Sequence, residues 1–275
     1  MTLQPALSQV CSLHAAWEQD IEDYAAGACR AVELWLGKLE GWLHGHSLDE
    51  ALAVLARHEV TAPVASFQGG LLISQGDARR EHWQHFSRRL EICRHLGVQT
   101  LVVAGDLTGP LGEEDIDRAR TSLRQAARQA GDFGVRLAWE FQSQATLANN
   151  VQTALALLAD AAEPNLGLCL DIFHYYTGPS KFEDLAYLTP HNLFHVQLCD
   201  LSGQARELAT DADRILPGDG DFQLQPIVAQ LQAIGYRGHV SVELMNPQIW
   251  RIPPRQFGEI AITALRRLLG QASMG

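Results

Sequence analysis

Lysine is scarce in this sequence: only Lys38 and Lys181 are present among 275 residues. Neither interrupts an apolar strand-like run, the usual setting of a desolvated amine nucleophile, so Schiff-base chemistry is not expected. Basic residues are few overall, 21 against 32 acidic, and the formal net charge of −11 repels phosphate backbones and anionic membranes. Neither nucleic acid nor a membrane is therefore an expected partner. The five cysteines, at 11, 29, 93, 169 and 199, are odd in number and lack C-x-x-C spacing. That pattern excludes a disulfide framework and a zinc knuckle and fits a reducing compartment. No apolar run reaches the ~18 residues needed to cross a bilayer, and MTLQPALSQV lacks the basic-then-apolar pattern of an export signal. A soluble cytoplasmic protein is the expectation. A hydrophobic fraction of 47%, with 11 prolines and 23 glycines, excludes disorder and collagen.

What the chain does have is repetition. Short apolar, β-rich runs begin near Val10, Ala31, Ala62, Thr100, Val135, Leu166, Leu193 and His239, with helical patterns between most of them. In one such interval Trp83, Phe86, Leu90 and Cys93 share a face, while Arg79, Arg80, Arg88 and Arg89 mark an expected solvated face. Gly97, Gly134 and Gly235 each stand just before a strand, where a left-handed residue closes a helix. Repeated helix, glycine and strand imply parallel strands with right-handed crossovers, and eight of them favour closure into a (β/α)8 TIM barrel. No linker divides the chain, so one α/β domain over 1–275 is expected. A polar segment containing RELATDADRILPGDGDF reads as a long βα loop at about 199–222, at the end of the barrel where active sites are built.

The ends of the last four strands carry the chemistry. VRLAWE ends in Glu140, LGLCLD ends in Asp171, LFHVQL carries Gln197, and HVSVEL carries Glu243. Taken singly, each acid also reads as a helix cap or a salt-bridge partner. Together they would converge at the barrel mouth, where three carboxylates repel one another unless a cation or a proton intervenes. One divalent metal resolves the conflict. An all-oxygen set suits Mn²⁺ first and Mg²⁺ next, with Zn²⁺ and Co²⁺ as further options.

Glu140 in LAWEF, Asp171 with His174 in LDIFHYY, Gln197 in HVQLCD, the PGDGDF loop and Glu243 in SVEL resemble the xylose-isomerase-like superfamily of sugar phosphate isomerases and epimerases. The resemblance spans nearly the whole chain and is most specific from 135 to 245. It implies a single divalent metal held by Glu140, Asp171, Gln197 and Glu243, with the two glutamates also acting as acid and base on opposite sides of a substrate. Dimers and tetramers are common in that superfamily, so a homodimer or homotetramer is the implied assembly. Most relatives carry histidine where Gln197 stands, in a pattern like HVHLKD. Glutamine there is similar to bacterial 3-dehydroshikimate dehydratases. An amide oxygen is a weaker, neutral ligand than imidazole, so looser binding and a preference for harder ions follow.

Other positions bear on substrate. His174 is placed to hydrogen-bond a substrate hydroxyl or carbonyl, or to shuttle a proton, and it also reads as a loop-packing imidazole. His195 is expected one layer below Gln197 on the same face. Arg214 is the candidate clamp for a substrate carboxylate or phosphate, with a surface salt bridge to Asp211 or Asp213 as the competing reading. Trp250, beside Arg251, could cover the apolar face of a sugar. Trp35, Glu33 and His14 fit either a pocket lining or ordinary barrel packing.

The expected reaction is isomerisation or epimerisation of a keto-sugar, of ketose or inosose type, through a metal-stabilised enediolate. Loss of a β-hydroxyl from the same enolate gives the alternative, dehydration of a 3-dehydroshikimate-like or inosose-like substrate. DNA repair on the same barrel is disfavoured because the third and fourth strands end in ASFQGG and VVAGD, without histidines.

Overall fold

The computed structural model describes residues 3–271. The expected span of 1–275 also takes in residues 1–2 and 272–275, which lie outside the described residues. Eight strands follow one another in sequence order and close into a parallel barrel. They are β1 (Gln4–Ser8), β2 (Ala31–Trp35), β3 (Thr61–Gln68), β4 (Thr100–Gly105), β5 (Arg136–Phe141), β6 (Leu166–Asp171), β7 (Leu193–Leu198) and β8 (His239–Val242). The helices are α1 (Trp17–Ala26), α2 (Leu36–Trp42), α3 (Leu48–Arg57), α4 (Gly76–Leu96), α5 (Glu113–Asp132), α6 (Val151–Ala161), α7 (Ile172–Thr177), α8 (Leu224–Ala233) and α9 (Pro254–Leu268). The fold is the (β/α)8 TIM barrel. No helix among the described residues is long and apolar enough to cross a membrane.

Contacts gather the chain into two compact units, one running up to Val64 and resuming at Val196, the other Ala65–His195. In the first, β1 pairs with β2 through Ser8↔Glu33 and with β8 through Leu7↔Val242, and β7 pairs with β8 through Gln197↔Ser241. Its core includes Leu7, Val32, Leu34, Val240 and Val242, and Tyr24 of α1 packs on Phe257 of α9. In the second unit, Ala104 of β4 lies opposite Glu140, and Glu140 lies opposite Cys169. Leu101, Val103, Leu137, Trp139 and Leu168 are buried there. Such unbroken apolar runs are characteristic of parallel strands covered on both faces.

Gly97, Gly134 and Gly235 have φ near +72°, the left-handed conformation that closes a helix without a Cβ penalty. Two expectations need correction. The first strand does not begin near Val10: β1 ends at Ser8, and Val10 lies in a 3-10 turn, Gln9–Ser12, where the Ser8 side chain accepts the Val10 amide. Val10, Cys11 and Ser12 are buried turn residues, whereas the strand itself opens on the polar Gln4 and hides its period. Nor is the arginine face of α4 uniformly solvated. Arg80 and Arg88 are exposed, but Arg89 is buried on the carbonyl of Phe67 at 2.5 Å, and Arg79 reaches Leu71 O and Ser122 Oγ. Arg79 stands seven residues before Phe86, and Arg89 three after Phe86 and four before Cys93, so the helical period places both on the buried side, where their guanidinium groups meet carbonyls.

Candidate active site

The second unit holds a compact polar cluster at the C-terminal ends of β5 and β6. Glu140, near the end of β5, and Asp171, the last residue of β6, are both buried. Each lies 3.6 Å from Nε2 of His174, through Oε1 and Oδ2 respectively. One ligand atom from each of Glu140, Asp171 and His174 falls within 4.8 Å of the others. Asp171 serves locally as well, because its Oδ1 accepts the Phe173 amide at 2.8 Å and caps α7. The cap places His174 one turn later, on the side of the cluster.

Ser143 was not foreseen from the sequence, yet it orients that imidazole. Its backbone N–H donates to His174 Nδ1 at 3.4 Å, and its hydroxyl lies at the same distance. A backbone amide can only donate, so Nδ1 is the acceptor and, in the neutral ring, Nε2 carries the proton toward the two carboxylates. Thr177 Oγ1, 3.0 Å from Ser143 Oγ, braces the pair.

A second network lies in the other unit. Gln197 is fully buried, and its Nε2 donates to Glu33 Oε1 at 2.9 Å and to Glu243 Oε1 at 2.8 Å. Two carboxylate acceptors identify that atom as the amide nitrogen. Ser241 Oγ donates to the other oxygen of Glu33. Glu33 thus takes part in the buried polar chain that runs through Gln197 to Glu243.

Arg214 completes the chain. It is 1% exposed, donates from one terminal nitrogen to Glu243 Oε2 at 3.1 Å, and directs Nε and its other terminal nitrogen to Asp211 Oδ1 at 2.9 and 2.7 Å. Of the two partners considered from sequence, Asp211 is the one engaged, but the pair is not superficial on the arginine side.

The long loop delivers Arg214 to that position. Asp200, another residue whose role the sequence did not announce, forms an antiparallel bridge with Ile215, next to Arg214. Its buried carboxylate accepts the amides of Leu201, Gly218 and Phe222 at 2.9, 3.0 and 2.9 Å. One side chain therefore gathers both ends of the loop. A Cβ on Gly220 would lie 2.4 Å from both Asp200 Oδ1 and Leu201 O, which explains the second glycine of PGDGDF. Asn246 Nδ2 holds Arg214 O at 2.9 Å from the far side.

Trp250 is half-buried, with its indole N–H on Val10 O at 2.7 Å and its ring against exposed His14, centroids 5.2 Å apart and nearly perpendicular. Trp35 is half-buried at the end of β2, its amide donating to Gln9 Oε1. His195 is fully buried in β7.

A parallel (β/α)8 barrel with buried carboxylates at strand C-termini defines a TIM-barrel protein, a class in which functional groups sit at that end of the strands. This chain belongs to the xylose isomerase-like TIM barrel family, whose model matches residues 22–268. It is 28% identical over 223 residues to an inosose isomerase of Bacillus velezensis, a match covering 79% of each protein. It is also 30% identical over 185 residues to a 3-dehydroshikimate dehydratase of Pseudomonas aeruginosa, covering 66% of this chain and 28% of that longer protein. Among solved structures, IOLI protein with a bound zinc atom superposes with a TM-score of 0.91 at 24% identity, over 99% of this chain and 100% of that one, a likeness of fold.

Proposed function

We propose that this chain is a divalent-metal-dependent isomerase or epimerase of a keto-sugar, of the ketose or inosose type, with Glu140, Asp171, Gln197 and Glu243 as metal ligands. The observation that carries the reading is the buried grouping of Glu140, Asp171 and His174, with ligand atoms within 4.8 Å of one another. Carboxylates this close in a buried setting favour a cation beside them. The similarity to inosose isomerases over 79% of the chain supports the substrate class.

The donors suit such an ion. Gln197 commits its nitrogen to Glu33 and Glu243, so its amide oxygen is the atom that would ligate. With His174 protonated on Nε2, the direct set is oxygen only, which favours Mn²⁺, then Mg²⁺. The bound zinc in the IOLI structure keeps Zn²⁺ and Co²⁺ within the metals to be compared.

When bound, the cation would polarise the substrate carbonyl and acidify the neighbouring C–H. The chain's own residues then move the proton. One of Glu140 and Glu243 takes it, and the C–H electron pair becomes the C=C bond as the carbonyl π pair moves onto its oxygen. The other glutamate then returns a proton to the same carbon as the carbonyl re-forms, or to the former carbonyl carbon as the neighbouring hydroxyl passes its proton to the first oxygen and becomes the new carbonyl. Nε2–H of His174, which faces Glu140 and Asp171, would donate to a substrate oxygen held beside those carboxylates or pass a proton to it. Arg214 holds Glu243, and an anionic or hydroxyl group of the substrate would compete with half-exposed Asp211 for its fork. Trp250 would cover an apolar ring face.

Dehydration of a 3-dehydroshikimate-like substrate is the second reading, favoured by Gln197 and by the Pseudomonas relative. Here loss of the α-proton is followed by breakage of the β C–O bond, and the hydroxyl departs as water after protonation. Incubation of the Mn²⁺-loaded protein with an inosose in deuterated water is expected to exchange a C–H for C–D by NMR. An aromatic ultraviolet band from 3-dehydroshikimate without inosose exchange would replace the isomerase reading with the lyase.

A further inference from the structure

The 3-10 turn Gln9–Ser12 holds the functional end of β8 at more than one point. Cys11, fully buried, directs Sγ to Val242 O at 3.4 Å and accepts the Leu244 amide at 3.1 Å, so the thiol spans the peptides on either side of Glu243. The preceding residue, Val10, supplies the carbonyl that accepts the Trp250 indole at 2.7 Å. Just beyond the turn, His14 stands against the same indole. A single 3-10 turn has few internal hydrogen bonds, so its position depends on outside contacts.

Those contacts converge on a buried ion pair that the proposed chemistry does not use. Lys38 Nζ, from the first turn of α2, donates to Ser12 O at 2.7 Å and to Gln9 O at 3.5 Å, the carbonyls at the two ends of the turn. It also pairs with the Asp20 carboxylate of α1. The other oxygen of Asp20 accepts Ser12 Oγ at 2.8 Å, and that hydroxyl lies 2.7 Å from Tyr24 OH. The Gln9 amide reaches Trp17 O and Asp20 with its nitrogen and the Trp35 amide with its oxygen. The Lys38 side chain is 7% exposed and that of Asp20 0%. A buried ion pair adds little net stability over well-packed apolar residues, which points to a geometric role for this desolvated lysine. Its ammonium has three donors, and the two carbonyls and the carboxylate use them.

We propose that Lys38, locked by Asp20, is a positioning residue that clamps the Gln9–Ser12 turn, so that the turn seats the Trp250 indole and holds the backbone around Glu243. Its kinetic consequence rests on the roles proposed above for Trp250 and Glu243, whereas the clamp itself is tested without turnover.

Protein labelled with 5-fluorotryptophan gives one fluorine resonance for each of its six tryptophans, and Trp250→Phe assigns the one that matters. In Lys38→Met the Trp250 resonance is expected to shift or broaden while those of Trp83 and Trp139, in the other unit, stay in place. Misplacement of the contacting groups is expected to lower kcat/KM for an inosose about tenfold. Lys38→Met/Asp20→Asn, which removes both charges and so avoids a buried lone carboxylate, is expected to move the same resonance. A Trp250 resonance at its wild-type position in both variants, whatever happens to the melting temperature, would overturn the clamp. Wild-type protein that turns over no inosose defeats the functional reading and leaves the fluorine comparison to decide the clamp.

Discussion

Arg214 donates to Glu243 at 3.1 Å in the interior while its remaining fork holds half-exposed Asp211 on the loop. The pair joins the loop that carries PGDGDF to the carboxylate that follows β8. Arg214 comes to this place because Asp200 bridges Ile215 and gathers three loop amides around its own carboxylate. The loop is thus tied from the inside by hydrogen bonds to a buried acid.

Arg214→Met leaves the Glu243 carboxylate buried without its cation. Breaking a buried pair from one side costs about 3–5 kcal/mol, so urea unfolding is expected to shift by that amount in free energy. A loss below about 1 kcal/mol would show that other donors can replace the guanidinium on Glu243.

Asp200→Ala removes the acceptor of the Leu201, Gly218 and Phe222 amides. Leaving buried donors unpaired costs about 1–3 kcal/mol each, and opening the loop to water recovers part of that cost. Faster trypsin cleavage at exposed Arg206 is therefore expected, together with loss of the turnover that depends on Arg214. Cleavage at the wild-type rate would mean that the loop is held elsewhere.

Glu140→Gln keeps the shape at the end of β5 but removes a charge. Turnover is expected to fall about 10²–10⁴-fold, the range for loss of an acid or base group, with weaker Mn²⁺ binding by calorimetry and an unchanged circular dichroism spectrum. Activity close to wild type would defeat the proton-transfer assignment.

Acidity tests the Asp20–Lys38 contact beneath the Gln9–Ser12 turn, an ion pair above about 7 and, below it, a protonated carboxyl whose oxygen still accepts from the ammonium. Burial pushes the Asp20 carboxyl up to about 7, with Asp23 adding to the rise and Lys38 and Ser12 opposing it. Between the ordinary carboxylate value near 4 and about 7, the folded chain then retains a proton that the unfolded chain has released. Stability from this group is therefore complete below about 4 and declines as pH rises through about 7. Urea midpoints measured from pH 4.5 to 7.5 are expected to show this decline in wild type and to lose it in Asp20→Asn; equal slopes in the two proteins would contradict it.

The barrel was legible because parallel strands buried on both faces leave apolar runs, and helices closed by left-handed glycines punctuate them. Glu140 and Asp171 were legible as acids at strand ends for the same reason: a charge that ends an apolar run stands out. The first strand was not, because its polar opening carries little period while the buried turn after it looks more apolar than the strand. Arg89 reads as solvated from its charge alone, although it stands three residues after Phe86 and four before Cys93 and so shares their buried face, its guanidinium paired with a carbonyl.

The sequence by itself determined the order of elements, the acidic and lysine-poor surface chemistry, and which strands end in ligand-type residues. Only the tertiary structure decided partners: Gln197 meets Glu33 across 164 positions of sequence, Ser143 sets the tautomer of His174, and Arg214 turns inward to Glu243. Periodicity is a local property that propensity and burial write into consecutive residues. A buried polar atom takes whichever partner the folded backbone brings within about 3 Å, and no spacing along the chain encodes that choice.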